Sequence, residues 1–303
     1  MPEQAAASTI SELSLATLDG VSLSGEQSGS GPAIALLHGL TASRRYVVHG
    51  SRTLERSGYR VISYDARGHG RSTPPIGAVA DGQPRAAGEP SPYGYRRLAA
   101  DLAAVLDATG VQRAVLAGVS MGSHTIIRFA LDHPERVAAL AIITPAFDPD
   151  FTRGPRSGDA TSGEDPLARW DALAHGLRDG GVEGFLAAYD LRRLPESLRE
   201  TVATVIRQRI AAHEHPEAVA DALEAVPRSR PFGGLDELAA IAVPTVVVAS
   251  RDEADPVHPL AVGERYAQAI PGAQLFVEEP GQSPLSWQGG QISKIIAELA
   301  ARA

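Results

Sequence analysis

Short apolar runs alternate with stretches of helical spacing along most of the chain. Residues 33–37, 59–64, 114–117, 137–143, 245–249 and 274–278 are apolar runs of strand length, most of them bounded by Gly, Pro or Asp signals. Between them, residues 45–57, 95–109, 125–133, 260–269 and 289–301 carry apolar positions at helical spacing, with Leu98, Leu102, Val105 and Leu106 on one face of the second. Residues 11–18 and 21–26 alternate apolar with polar and meet at Asp19-Gly20, so they predict an antiparallel hairpin at a sheet edge. Strands alternating with helices predict an α/β fold, a doubly wound, mostly parallel sheet with its chemistry at the strands' carboxyl ends.

The alternation is interrupted once. From Pro166 to Ala225 the spacing is helical throughout (167–177, 182–189, 197–213, 216–225), and no strand pattern appears. This predicts an inserted helical lid at residues 147–234 on a core made of residues 1–146 and 235–303. A short helix near 235–241 returns the chain to the core, and residues 73–92, rich in Pro, Gly and Ala, read as a long loop.

Composition narrows the function. The chain has 303 residues, a formal net charge of −8 and no block of lysine or arginine, which argues against nucleic acid as a partner. It has no cysteine, which excludes disulfides, thiolate metal sites and a cysteine nucleophile. Met1 to Ser8 lacks a basic start and an apolar core, and no apolar run approaches the roughly 20 residues of a membrane span, so a cytoplasmic protein is expected. No glycine-rich phosphate loop follows the first parallel strands, and His213 and His215 lack metal-ligand spacing. The expectation is therefore no cofactor, no metal, and a small-molecule substrate; His213 and His215 read as lid surface.

The candidate chemistry gathers at strand ends: His38-Gly39-Leu40, the run from Asp65 to Ser72, Ser120-Met121, the run from Asp252 to His258, and Gly281-Gln282-Ser283. Gly118-Val119-Ser120-Met121-Gly122 follows an apolar strand and precedes a helical pattern. That context makes the G-x-S-x-G pattern a nucleophile elbow, with Ser120 on a strained turn and glycines where a Cβ would clash. LLHGLTAS, YDARGHGRS and GVSMGSHTIIRFALDHPERV together resemble the α/β-hydrolase family over nearly the whole chain, most weakly in the lid. The resemblance implies a serine hydrolase acting on a small apolar ester, lactone or thioester. It implies Ser120 as nucleophile and the backbone N–H groups of Met121 and Leu40 as an oxyanion hole. His38, Asp65, Arg67 and His69 become scaffolding of two loops. The family's acid pattern D-P-x-x-P fits Asp255-Pro256-Val257-His258-Pro259, with Asp252 as the competing acid.

The base departs from the family pattern. Where the family carries G-H-x-P, this chain reads Gly281-Gln282-Ser283-Pro284. Glutamine does not titrate and cannot accept the serine proton. His258, three residues past Asp255, is the first candidate for the base, although a loop histidine at the rim is the plainer reading of it; His124 is second. Glu278 and Glu279 are a weaker source of a carboxylate base. The alternative is a non-hydrolytic enzyme or a ligand-binding protein on the same fold. Trp170, Phe185 and Tyr189 read as lid core or pocket lining, and Trp287 as core near the site.

Overall fold

The computed structural model describes residues 10–76, 91–150, 167–251 and 257–303. Its strands are β1 (Ser11–Ala16), β2 (Ser22–Ser28), β3 (Ala33–Leu37), β4 (Arg60–Tyr64), β5 (Ala114–Val119), β6 (Val137–Ile143), β7 (Thr245–Ala249) and β8 (Gln274–Val277). They form one sheet in the order β1-β2-β4-β3-β5-β6-β7-β8. The hairpin β1–β2 and the β2–β4 pair are antiparallel, and every pairing from β4 to β8 is parallel. The expected fold class is thus the one observed.

Side-chain alternation explains why the central strands read as continuous apolar runs. On β5, Ala114 and Leu116 face one core while Val115 and Ala117 face the other. The first core is closed by α2 (Tyr95–Ala108), α3 (Met121–Asp132) and α7 (Leu260–Ala269), through Leu102, Ile126, Phe129 and Tyr266 among others. The second is closed by the short α1 (Thr53–Arg56) and by α8 (Gly289–Ala300), through Leu54, Ile292, Ile296 and Leu299. A sheet covered on both faces has room for a site only at its edges, and the parallel strands direct their connecting loops to one of them.

The helix expected over residues 45–57 does not form. A 3-10 turn at Arg44–Tyr46 and the four-residue α1 stand apart, because His49 (φ 47°) and Gly50 (φ 76°) are left-handed and end any helical ladder there. His49 instead bonds Ser286 O through Nε2 at 2.9 Å. Residues Leu235–Ala240 are a 3-10 helix.

Between β6 and β7 lie α4 (Ala168–Ala188), α5 (Glu196–Ala211) and α6 (Pro216–Ala225). The α4 segment is helical on both sides of a break at Gly181 (φ 57°, ψ −139°). The backbones of Gly176 and Gly184 touch: a Cβ on either would meet the other's carbonyl oxygen within 2.5 Å. Only glycine allows that approach, so the two halves fold back on each other. This helical block has its own core, including Leu177, Phe185, Ile206, Ile210, Val219 and Leu223.

The loop after β4 is braced by a buried ion pair. Arg67 sends Nε and Nη2 to the two carboxylate oxygens of Asp101, on α2, at 2.8 and 2.7 Å, and Nη1 to Asp19 at 2.8 Å. Asp65 accepts the backbone N–H groups of Arg44 and Arg71, and also the guanidinium of Arg44.

Candidate active site

Ser120 ends β5 and caps α3 with φ 51° and ψ −110°, a conformation that a non-glycine residue adopts only where its surroundings over-determine it. A Cβ on Gly122 would sit 2.2 Å from Leu37 O, and one on Gly118 2.3 Å from Gly122 O, so β3, β5 and α3 meet without side chains between them. Ser120 N–H donates to Ile143 O on β6 at 2.9 Å, and Ser123 Oγ–H to Ser120 O at 2.6 Å. The elbow predicted from five residues is present, and it lifts the serine to the sheet edge.

His258 Nε2 lies 2.9 Å from Ser120 Oγ. The residue sits between β7 and α7, so the two groups, 138 positions apart in sequence, meet at the carboxyl ends of β5 and β7. With Nε2 bare, the hydroxyl donates to it, the arrangement in which an imidazole takes a serine proton. Asp252 and Asp255 lie outside the described residues.

Gln282 is exposed and does not border the cavity described below. Its N–H donates to Glu279 O at 3.1 Å across Pro280-Gly281, with Gly281 at φ 80°; Pro then Gly in the middle of such a turn is the type II pattern. Of the other three candidate bases, His124 and Glu278 are committed elsewhere. His124 is buried, bonds the Tyr95 hydroxyl through Nδ1 at 3.1 Å, and accepts the N–H groups of Ala146 and Phe147 on Nε2 at 3.2 Å each. Burial, with a smaller repulsion from His258, holds it at about 3, so it is a neutral brace. Glu278 is buried rather than solvated at the rim. Its two oxygens accept the N–H groups of Arg251 (2.6 Å) and Leu285 (3.2 Å), tying the end of β7 to the loop after β8. Glu279 is exposed.

The loop after β3 packs on the nucleophile. A Cβ on Gly39 would be 3.4 Å from Ser120 Cβ, and Leu40 follows at the cavity wall. His38 fixes this loop to the next one: its Nδ1–H donates to Gly39 O at 2.8 Å and its Nε2 accepts Ala66 N–H at 2.9 Å. Met121 is the first residue of α3, where backbone N–H groups have no intrahelical acceptor and favour negative charge.

A cavity of about 530 Å³ opens above Ser120. Its walls come from Leu40, Thr144 and Trp287 at the strand ends and from Val202, Val205, Ile206 and Arg209 on α5. Tyr189 borders it, whereas Phe185 is buried within the helical block and Trp170 packs against that core. Trp287 is 39 % exposed, so it is a cavity wall and not core. His213 corrects its sequence reading as surface. It is buried, because both of its ring nitrogens face backbone groups of the core loops. The α5 lining was not singled out from sequence, although Val202, Ile206 and Ile210 recur there at helical spacing. Among the described residues no helix is long and apolar enough to cross a membrane.

The profile of the alpha/beta hydrolase fold matches residues 32–289. A 2-hydroxy-6-oxononadienedioate/2-hydroxy-6-oxononatrienedioate hydrolase of Paraburkholderia phymatum is 30 % identical over 73 % of this chain and 69 % of its own length. Among solved structures, a thermophilic esterase from Thermogutta terrifontis is 26 % identical with a TM-score of 0.69, covering 95 % of this chain and 97 % of that one. A hydrolase from Pseudomonas aeruginosa gives 26 % and 0.70, with 95 % and 98 % covered. With the elbow, the paired serine and histidine and the match over most of its length, the chain belongs to the α/β-hydrolase fold family and is a hydrolase-type enzyme.

Proposed function

We propose that the protein is a serine hydrolase of small, fairly apolar esters, lactones or thioesters, working through an acyl-enzyme on Ser120 with His258 as the base. The observation that carries this reading is the 2.9 Å contact between Ser120 Oγ and His258 Nε2. Ser120 Oγ attacks the substrate carbonyl carbon as its proton passes to His258. The N–H groups of Leu40 and Met121 hold the oxyanion. The tetrahedral species collapses, the alkoxide or thiolate takes the proton from His258, and the acyl group stays on Ser120. Water then gives a proton to the same histidine and attacks the acyl carbon, releasing the acid and restoring the serine. Asp255, from the D-P-x-x-P resemblance, is the proposed partner that orients the imidazole. Val202, Val205 and Ile206 on α5, with Leu40 and Leu194, give the cavity an aliphatic wall that supports an apolar acyl group, beside the polar Thr201, Gln208 and Arg209, and residues 147–234 are proposed to serve as the lid.

The direct test is mass spectrometry of the intact protein after mixing with a p-nitrophenyl acyl ester. An increment equal to the acyl group is expected, localised to the peptide containing Ser120 and absent from Ser120→Ala. Turnover with no increment and no loss in Ser120→Ala would refute the reading.

Position 282 supplies a second check. If His258 is the base, Gln282→His adds a histidine to an exposed turn, and kcat on the same ester is expected to stay within about threefold. A gain of several orders of magnitude would instead place the base position at 282.

A further inference from the structure

His213 lies two residues beyond α5 and belongs to the helical block, yet its ring is buried against the core. Nδ1 accepts the N–H of Gly70 at 2.8 Å, in the loop after β4. Nε2 meets the carbonyl oxygen of Thr41 at 3.0 Å, in the loop after β3. A ring nitrogen facing an N–H must be bare, and one facing a carbonyl must carry the proton, so these two contacts admit one neutral tautomer. Burial, the largest influence, holds the ring at about 4 and favours that neutral form. Glu214 N–H adds a bond to Gly70 O at 2.9 Å.

The Thr41 contact falls next to the proposed oxyanion donor. Ala42 N–H donates to Gly39 O at 3.1 Å, so residues 39–42 form one tight turn carrying Leu40, and Thr41 is left-handed at φ 66°. The Leu40 side chain packs on two clusters at once: the core of the helical block, and the group containing Met121 and Ala66. The turn therefore has a polar hold from the helical block at Thr41 O and an apolar one at Leu40. The Leu40 N–H shares its peptide plane with Gly39 O, which accepts from Ala42 N–H and His38 Nδ1–H, so the hold at Thr41 O reaches that plane through the Ala42 peptide and the closing bond of the turn.

We propose that His213 is a positioning residue for the oxyanion hole: through Thr41 O it fixes the turn carrying the Leu40 N–H, so that seating of the helical block and assembly of the hole are one event. This rests on the serine-hydrolase reading above. A donor displaced by about 1 Å costs on the order of 10- to 100-fold in rate, less than its outright removal.

The test separates the two ring contacts. In His213→Gln the side-chain amide reaches the Nε2 position and donates to Thr41 O; in His213→Asn the amide oxygen sits at the Nδ1 position and serves only Gly70. Expected kcat on a p-nitrophenyl ester falls about 10- to 100-fold in His213→Asn and His213→Leu, with KM within about threefold, and recovers to within about fivefold in His213→Gln. Hydrogen exchange of the free protein, read on peptides covering residues 39–42, is expected to accelerate in His213→Asn and His213→Leu while β3 and β5 stay protected. A purely structural histidine would lower the melting temperature of all three variants and leave kcat per folded molecule unchanged, and that result overturns the proposal. So does equal kcat in His213→Gln and His213→Asn, or unchanged exchange at residues 39–42. The exchange readout needs no turnover, so failure of the serine-hydrolase reading, seen as a missing Ser120 adduct, is distinguishable from failure of the hold on the turn.

Discussion

His258→Ala is expected to lower kcat on a p-nitrophenyl ester by about 10⁴- to 10⁶-fold, with the same order of loss in Ser120→Ala and little further loss in the double variant. The magnitude follows from shared work. The serine hydroxyl is a poor nucleophile without a base, and the base has nothing to deprotonate without the serine, so removing either disables the pair. What survives is the contribution of the oxyanion donors and of binding, roughly 10³- to 10⁴-fold over water. Burst kinetics sharpen the test. His258 serves both half-reactions, so the alanine variant is expected to lose the acylation burst as well as the steady state. A variant that still acylates rapidly but fails to deacylate would assign the acylation base elsewhere. Circular dichroism should be unchanged, because the ring occupies a half-buried position in the connection between β7 and α7, outside both elements.

The base illustrates what one sequence encodes and what it withholds. The elbow was legible because its constraint is local. Glycines two residues either side of Ser120 are needed where β3, β5 and α3 approach within atomic contact, and all of them fall inside one five-residue pattern. The sheet was legible for a similar reason, since strands buried on both faces read as uninterrupted apolar runs. His258 was only one candidate among several, because its distance to Ser120 depends on how two loops 138 positions apart come together. Gln282 drew attention by occupying a familiar position, yet its backbone is spent on a Pro-Gly turn and its side chain faces solvent. His213 was misread because nothing local marks it. Its burial comes from the way the helical block seats on the loops at Thr41 and Gly70, a tertiary event with no periodic signature. The failed helix at 45–57 has the same origin: apolar spacing was present, but His49 is drawn to Ser286 and takes a left-handed backbone.

Asp101→Ala is expected to destabilise the protein by roughly 3–5 kcal/mol, because it leaves Arg67 charged in a site only 1 % exposed. For a chain of this size that is a fall of roughly 5–8 °C in melting temperature. The two bonds from Arg67 to Asp101, at 2.8 and 2.7 Å, form a bidentate pair, and they are what make the burial of the guanidinium tolerable. Asp19 cannot replace Asp101. It holds Arg67 from the partly exposed side, and its own carboxyl is lowered to about 2 chiefly by the hydrogen bond from Arg67. That sign fixes its pH behaviour: Asp19 contributes stability fully above its ordinary value of 3.8, and the contribution is lost as pH falls through about 2. The pairing of charges, rather than the charges themselves, is the stabilising feature. The double replacement Arg67→Met with Asp101→Leu is therefore expected to lose much less than Asp101→Ala alone, since an apolar pair of similar volume removes the uncompensated charge. Urea titrations of the two variants decide it. If the double variant is the less stable of the two, the interaction is worth more than the desolvation it costs, and the loop after β4, with the Gly70 turn that receives His213, is held by net attraction.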